Sequence, residues 1–255
     1  MLGAIVGDII GSVYEFENYK AQDFPLFNPQ SRFTDDSVLT VATAAALLAE
    51  RGFRETYQDY FHRYPEAGYG GRFYQWAKNR EREPYGSFGN GSAMRVSPVG
   101  FACRSLTDVL RVAKECASVS HNHPEGIKGA QAVAAVIFLA RAGGGKDEIA
   151  QYITQAFGYD LSVPLANVRP WYTFDVSCRG SVPYAIRAFL ESDGFESAVR
   201  LAVSIGGDSD TLACMAGAMA ESFDGEVPWE LTKEALLRLP ADLAAVIRDF
   251  YSRYI

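Results

Sequence analysis

Apolar residues recur at helical spacing along most of the chain, and no alternation of strand-like and helix-like runs appears. Leu2, Ile5, Val6, Ile9 and Val13 predict a helix over 2–13. Gly3, Gly7 and Gly11 recur at every fourth position of it, which costs helix propensity and implies close packing against another helix. The run from Val38 to Leu48 is apolar almost all round and belongs in the middle of a protein. Amphipathic or buried helices follow at 53–64, 72–80, 105–119, 125–142, 146–157, 181–191 and 195–204. Another opens after Gly206-Gly207, with Leu212, Ala216, Met219 and Phe223 on one stripe. Ala213, Gly217 and Ala220 form a second stripe where a further helix can approach closely. After Pro228, helices at 229–237 and 241–253 close the chain. Residues 18–33 read as loop, and 158–177 as an irregular lid or packed loop. The expectation is an all-α fold, a compact orthogonal multi-helix bundle forming a single domain over 1–255, with about ten or more helices.

Two of the buried helices open on acids. One follows Thr34-Asp35-Asp36-Ser37, the other Asp208-Ser209-Asp210-Thr211. Clustered carboxylates and hydroxyls are hard oxygen donors suited to Mg²⁺, Mn²⁺ or Ca²⁺. Capping by Asp210 and a favourable helix dipole for Asp208 account equally well for one such cluster. Two clusters are harder to dismiss in this way. If the two N-termini meet, four carboxylates repel unless cations lie between them. Glu15, set between Tyr14 and Phe16, reads as a surface acid, with a raised-pKa carboxylate near a site as the alternative.

The remaining polar signals are weaker. Gly68-Tyr69-Gly70-Gly71 is either a plain loop or a turn presenting N–H groups to phosphate. Gly86-Ser87-Phe88-Gly89-Asn90-Gly91-Ser92 could be a hairpin turn, but its flanks do not alternate, which favours a ligand-lining loop with Phe88 as a stacking face. His121 and His123 lack a third ligand for a metal; helix capping, a mutual hydrogen bond or a bond from His121 to a ligand stay open. His62 reads as surface or packing.

Composition narrows the class. A net charge of -7 and the lack of a basic run argue against a nucleic-acid-coating surface. Four cysteines without a Cys-x-x-Cys pair, in apolar surroundings, read as reduced buried thiols, and zinc is not indicated. The apolar start is short, lacks a basic lead and carries Asp8, so neither a signal peptide nor a membrane span is expected; a cytoplasmic monomer is.

In this order the motifs resemble those of the ADP-ribosylglycohydrolase family, which includes the dinitrogenase-reductase-activating glycohydrolases. The likeness runs through Gly7-Asp8 to Glu15, Thr34-Asp35-Asp36, Gly68-Tyr69-Gly70, Gly86 to Arg95, Ser120-His121 and Gly207 to Thr211. The resemblance implies an all-α fold around two divalent ions, Mg²⁺ or Mn²⁺. It implies Thr34, Asp35, Asp36, Asp208, Asp210 and Thr211 as metal ligands. Gly68 and Gly70 match positions near a diphosphate, while Gly86, Ser87, Phe88, Gly89 and Asn90 match the loop holding the distal part of ADP-ribose. His121 matches a histidine that touches the ligand, and Glu15 a glutamate near the scissile ribose. Arg72 stands where some relatives carry a further glycine. The implied reaction is hydrolysis of the bond between ribose C1 of ADP-ribose and an acceptor, through an oxocarbenium-like state, with Glu15 or Asp36 assisting proton transfer. Its partners would be an ADP-ribosylated substrate and ADP-ribose, with nucleic acid only as a carrier of that group. The other readings are an inactive ADP-ribose-binding or crystallin-like protein, and a two-metal nucleotide phosphohydrolase.

Overall fold

A computed structural model describes residues 1–255 as fifteen helical segments without a β-strand. They are α1 (Leu2–Gly11), α2 (Asp35–Leu48), α3 (Phe53–Arg63), α4 (Gly71–Lys78), α5 (Gly91–Met94), α6 (Ser97–Ala102), α7 (Leu106–Ser118), α8 (Pro124–Arg141), α9 (Lys146–Phe157), α10 (Leu165–Val168), α11 (Cys178–Glu191), α12 (Phe195–Ser204), α13 (Ser209–Asp224), α14 (Trp229–Leu236) and α15 (Ala241–Tyr254). The fold is all-α, as the periodicity implied. No helix is long and apolar enough to cross a membrane.

Every residue of α13 from Ser209 to Ser222 is buried, so this helix is an axis of the molecule. The glycines of α1 meet its small-residue stripe. A Cβ at Gly3 would strike the Gly217 carbonyl, one at Gly7 the Ala213 carbonyl, and one at Gly11 would come within 2.5 Å of Asp210 Cα. The rising series 3, 7, 11 against the falling series 217, 213, 210 makes the two helices antiparallel. This register brings the C-terminal end of α1, with Asp8, beside the N-terminus of α13, with Asp210. Each glycine therefore trades helix propensity for close backbone approach. The surrounding core is a single cluster of 70 buried apolar residues.

Differences from the sequence expectation fall where breakers hide helices. α6 carries Pro98 near its start and Gly100 against Ile137, and its 6 residues are too few to show a period. α11 begins at Cys178 rather than 181, because Ser177 caps it by accepting from Gly180 N at 3.0 Å, and Pro183 sits inside it. Helices α1, α2, α8, α9, α12 and α13 lie within a few residues of the expected spans. The 158–177 stretch is packed rather than loose: Leu165, Val168 and Tyr172 are buried.

Candidate active site

The starts of α2 and α13 and the turn after α1 converge on one cavity of about 400 Å³. Its wall includes Glu15, Asp35, Asp36, Asp208, Asp210 and Thr211. The two acid-bearing helix starts thus face each other across a common space. Asp36, Asp208 and Asp210 are buried, Asp35 and Glu15 half-buried. Local geometry fixes them. Thr34 caps α2 in extended backbone, accepting from Asp36 N at 3.3 Å, and this turns the two acids into the first turn. Gly206 and Gly207 both have φ near +75°, at +74° and +75°, where other side chains are strained. That left-handed pair lets the chain turn from α12 into Asp208. Lys20 holds the turn from outside, donating to the carbonyls of Tyr172, at 2.6 Å, and Ile205.

Burial is the first cause that raises the pKa of every acid here, and repulsion among them is a further one for Glu15, Asp35, Asp36, Asp208 and Asp210. Glu15 is pushed up to about 8, by burial first and Asp210 second, with Arg32 opposing. Asp208 rises only to about 6, because hydrogen bonds from Asp210 and Asn90 favour its charged form. The Asn90 amide donates to Asp208 Oδ2 at 2.6 Å. None of the six acids Asp8, Glu15, Asp35, Asp36, Asp208 and Asp210 has a partner among the ion pairs of the chain.

The donor set fits a cation. One oxygen each from Glu15, Asp208 and Asp210 lies within 4.8 Å of the others, and Asp8, Asp36 and Asp210 form a second such group. Asp36 Oδ1 is buried without any donor, an arrangement that costs free energy unless something positive meets it. Its Oδ2 accepts from Thr211 Oγ1 at 3.2 Å. Asp8 is different. Its Oδ1 accepts from Thr34 Oγ1 at 2.7 Å, and its Oδ2 from Thr34 N at 3.0 Å, Ser37 N at 3.1 Å and the Ser37 hydroxyl. It therefore ties α1 to the start of α2 and holds the acid cluster from behind.

The other expected residues divide. Gly68, Gly70, Ser87, Gly89, Asn90 and His121 line the cavity, as does Arg72. Gly86 and Phe88 do not: Gly86 N donates to Asn122 Oδ1 at 2.8 Å, and Phe88 stands exposed, T-shaped to His123 at 5.6 Å. Thr34 is buried behind the wall with its hydroxyl on Asp8. Glu15 lines the cavity, against its reading as a surface acid. His123 caps α8, accepting from Glu125 N at 3.1 Å, and does not bond His121; His62 is exposed. All four cysteines are free thiols; Cys116, Cys178 and Cys214 are buried and Cys103 is only half-buried.

Residues that the sequence did not single out complete the site. Asp8 is one; its signal was an acid inside an otherwise apolar helix. Arg95 is another, fully buried on the cavity wall, with Tyr85 near it. Phe174 and Val176 of the 158–177 stretch form part of the mouth, and Phe174 stacks on Phe16 at 6.1 Å.

Comparison with known proteins adds a family. The profile described as ADP-ribosylglycohydrolase matches residues 1–253. The chain is 28% identical to ADP-ribosylhydrolase ARH3 of Homo sapiens, covering 92% of this chain and 88% of that protein. It is 24% identical to ADP-ribosylarginine hydrolase Tri1 of Pseudomonas putida, covering 88% and 69%. A solved structure described as an ADP-ribosylglycohydrolase-related protein complex superposes with a TM-score of 0.72 over 100% of this chain and 97% of that one, at 23% identity, a likeness of fold.

Proposed function

The chain belongs to the ADP-ribosylglycohydrolase family, and from that premise we propose that it hydrolyses the bond between ribose C1 of ADP-ribose and an acceptor, releasing ADP-ribose. One observation supports this most: two acid-bearing helix starts, remote in sequence, meet Glu15 at a cavity whose wall also includes glycine backbone, Asn90 and His121. The roles follow from position. Asp35, Asp36, Asp208 and Asp210, with the hydroxyl of Thr211, would hold two divalent ions, Mg²⁺ or Mn²⁺, while Thr34, expected as a further ligand, spends its hydroxyl on Asp8 behind the wall. Such ions would supply Lewis-acid stabilisation of ribose oxygens and would neutralise the clustered charge. Glu15 is the carboxyl that moves a proton. It follows α1 on a turn at the cavity, whereas Asp36 is enclosed and has one oxygen committed to Thr211. The rigid backbone at Gly68, Gly70 and Ser87 to Asn90 orients the diphosphate and distal nucleoside.

The test is hydrolysis of ADP-ribosylated arginine, serine, nucleobase and small-molecule substrates with Mg²⁺, Mn²⁺ or EDTA, products being resolved by mass. Free ADP-ribose, lost in EDTA and in Asp210→Asn, is the expected product. AMP with ribose phosphate would mean a phosphohydrolase, and no product with intact ADP-ribose binding would mean a binding protein.

A further inference from the structure

We propose that Arg95, acting through Ser120, fixes His121 as a neutral Nε2–H tautomer, so that this ring offers the cavity a hydrogen-bond donor and selects ligand atoms that only accept, such as phosphoryl oxygens. The chain of bonds is short and directional. Arg95 Nη2 donates to Ser120 Oγ at 2.9 Å and to the Cys116 carbonyl at 2.9 Å. Ser120 Oγ lies 2.8 Å from His121 Nδ1. A guanidinium has no acceptor, so the serine oxygen accepts from Arg95 and its single proton is free to point elsewhere. Two groups lie within its reach, His121 Nδ1 at 2.8 Å and the Tyr85 phenol, and the uncharged phenol carries a proton of its own, so the imidazole lone pair is the better acceptor. With Nδ1 accepting, the ring proton sits on Nε2.

Electrostatics selects the same tautomer. Arg95 is fully buried and makes no ion pair with a carboxylate; its guanidinium lies 4.4 Å from the centre of the Tyr57 ring, and Nε and Nη1 have no partner at all. A buried charge left this way is costly, which is hard to account for by packing alone. Its field favours a ring whose lone pair faces it and whose N–H points away. Burial, Arg95 and Arg72, in that order, hold His121 well below the ordinary histidine range, so the ring is neutral. Tyr85, T-shaped to His121 at 5.6 Å, is the other titratable group facing the ring; burial raises it to about 12, so it too is uncharged. On the far side, Nε2 makes no bond within the chain and lies at the wall formed by Gly89 and Gly91: a Cβ on Gly91 would stand 3.1 Å from it. Small residues there leave the N–H open to a ligand.

Arg95 is thus a positioning residue in this relay, since the donor it sets is the Nε2–H of His121. The identity of the ligand rests on the function proposed above, but the tautomer does not. The experiment is a two-bond ¹H–¹⁵N correlation spectrum of the full chain labelled with ¹⁵N-histidine. The chain has three histidines, and His121→Gln identifies the signals of His121 by their loss. The expected spectrum shows Nε2 protonated and Nδ1 unprotonated, unchanged between about pH 5.5 and 8. Ser120→Ala should mix the tautomers and weaken binding of ADP-ribose about tenfold, the cost of presenting a lone pair to an anion. Ser120→Thr should restore both. A native spectrum with the proton on Nδ1, or an imidazolium at pH 7, overturns the relay whatever the variants do. So does an unmixed tautomer in a folded Ser120→Ala chain, which would leave Tyr85 or the field alone in control. The expected tautomer without ADP-ribose binding would keep the relay and remove the proposed function instead.

Discussion

Gly7→Ala tests whether the seam between α1 and α13 governs both the fold and the acid cluster. In an open helix this change stabilises by about 1 kcal/mol, because alanine is the better helix former. Here the new methyl would land on the Ala213 carbonyl oxygen and within 2.9 Å of Cys214 N. Both obstacles are backbone, so no side chain can rotate away and α1 must retreat. Overpacking costs about 1–3 kcal/mol, and the upper end applies where neither partner yields. The balance is a net loss of about 2 kcal/mol, or roughly 4–8 °C in Tm for a domain of this size. Differential scanning calorimetry measures it, with Gly71→Ala as control, since a Cβ there meets nothing within 4 Å. The control should melt unchanged or slightly higher. Asp8 follows Gly7 directly, and Gly11 touches Asp210, so the retreat also spreads the carboxylates. Titration calorimetry should then show weaker Mn²⁺ uptake in Gly7→Ala. A variant that melts at or above the native temperature would refute the reasoning, because propensity would have outweighed the seam.

Glu15 is raised from 4.5 to about 8 by burial, then by Asp210. The folded chain therefore holds a proton that the unfolded chain has released over that window, and stability without metal falls as pH rises through it. Urea midpoints in EDTA should be lower at pH 8 than at pH 5; equal midpoints would count against the assignment. Asp36→Asn removes one of the mutually repelling charges, so it should raise the urea midpoint in EDTA, shrink the stabilisation by Mn²⁺, and abolish turnover. A fall in the EDTA midpoint would show that Asp36 is held by something other than a cation. Asp8→Asn leaves one oxygen to serve donors that now use two, and should cost about 1–3 kcal/mol by thermal melting, an amount that Mg²⁺ does not restore.

Much of this was legible in the residues. Periodicity located α1, α2, α8 and α13, because long buried helices repeat their apolar faces many times. The two acid clusters were visible because each interrupts an apolar run at its first turn. What the sequence could not show was which element each faces: Gly3, Gly7 and Gly11 and the stripe of Ala213 and Gly217 each asked for a close neighbour, and only three dimensions reveal that they are each other's. Glu15 looked exposed because its neighbours are loop and aromatic, but its environment is made by burial first and then by Asp210, nearly two hundred residues on. Phe88 looked like a ligand-facing ring, but a side chain's direction out of a glycine-rich loop is not written in composition. Arg95 gave no signal of its own, since a charge inside a short helix boundary resembles any solvated one. The short α6, with proline and glycine in six residues, has no period to detect.

Phe16 and Phe174 stack although each keeps much of its surface in water, 79% and 49% respectively. An aromatic pair of this kind adds about 0.5–1.5 kcal/mol beyond the area it buries, so thermal motion parts it easily. Phe174 belongs to the wall of the acid cavity and Phe16 does not, so the pair is a clasp fastened from outside that wall, and one that comes undone at little cost.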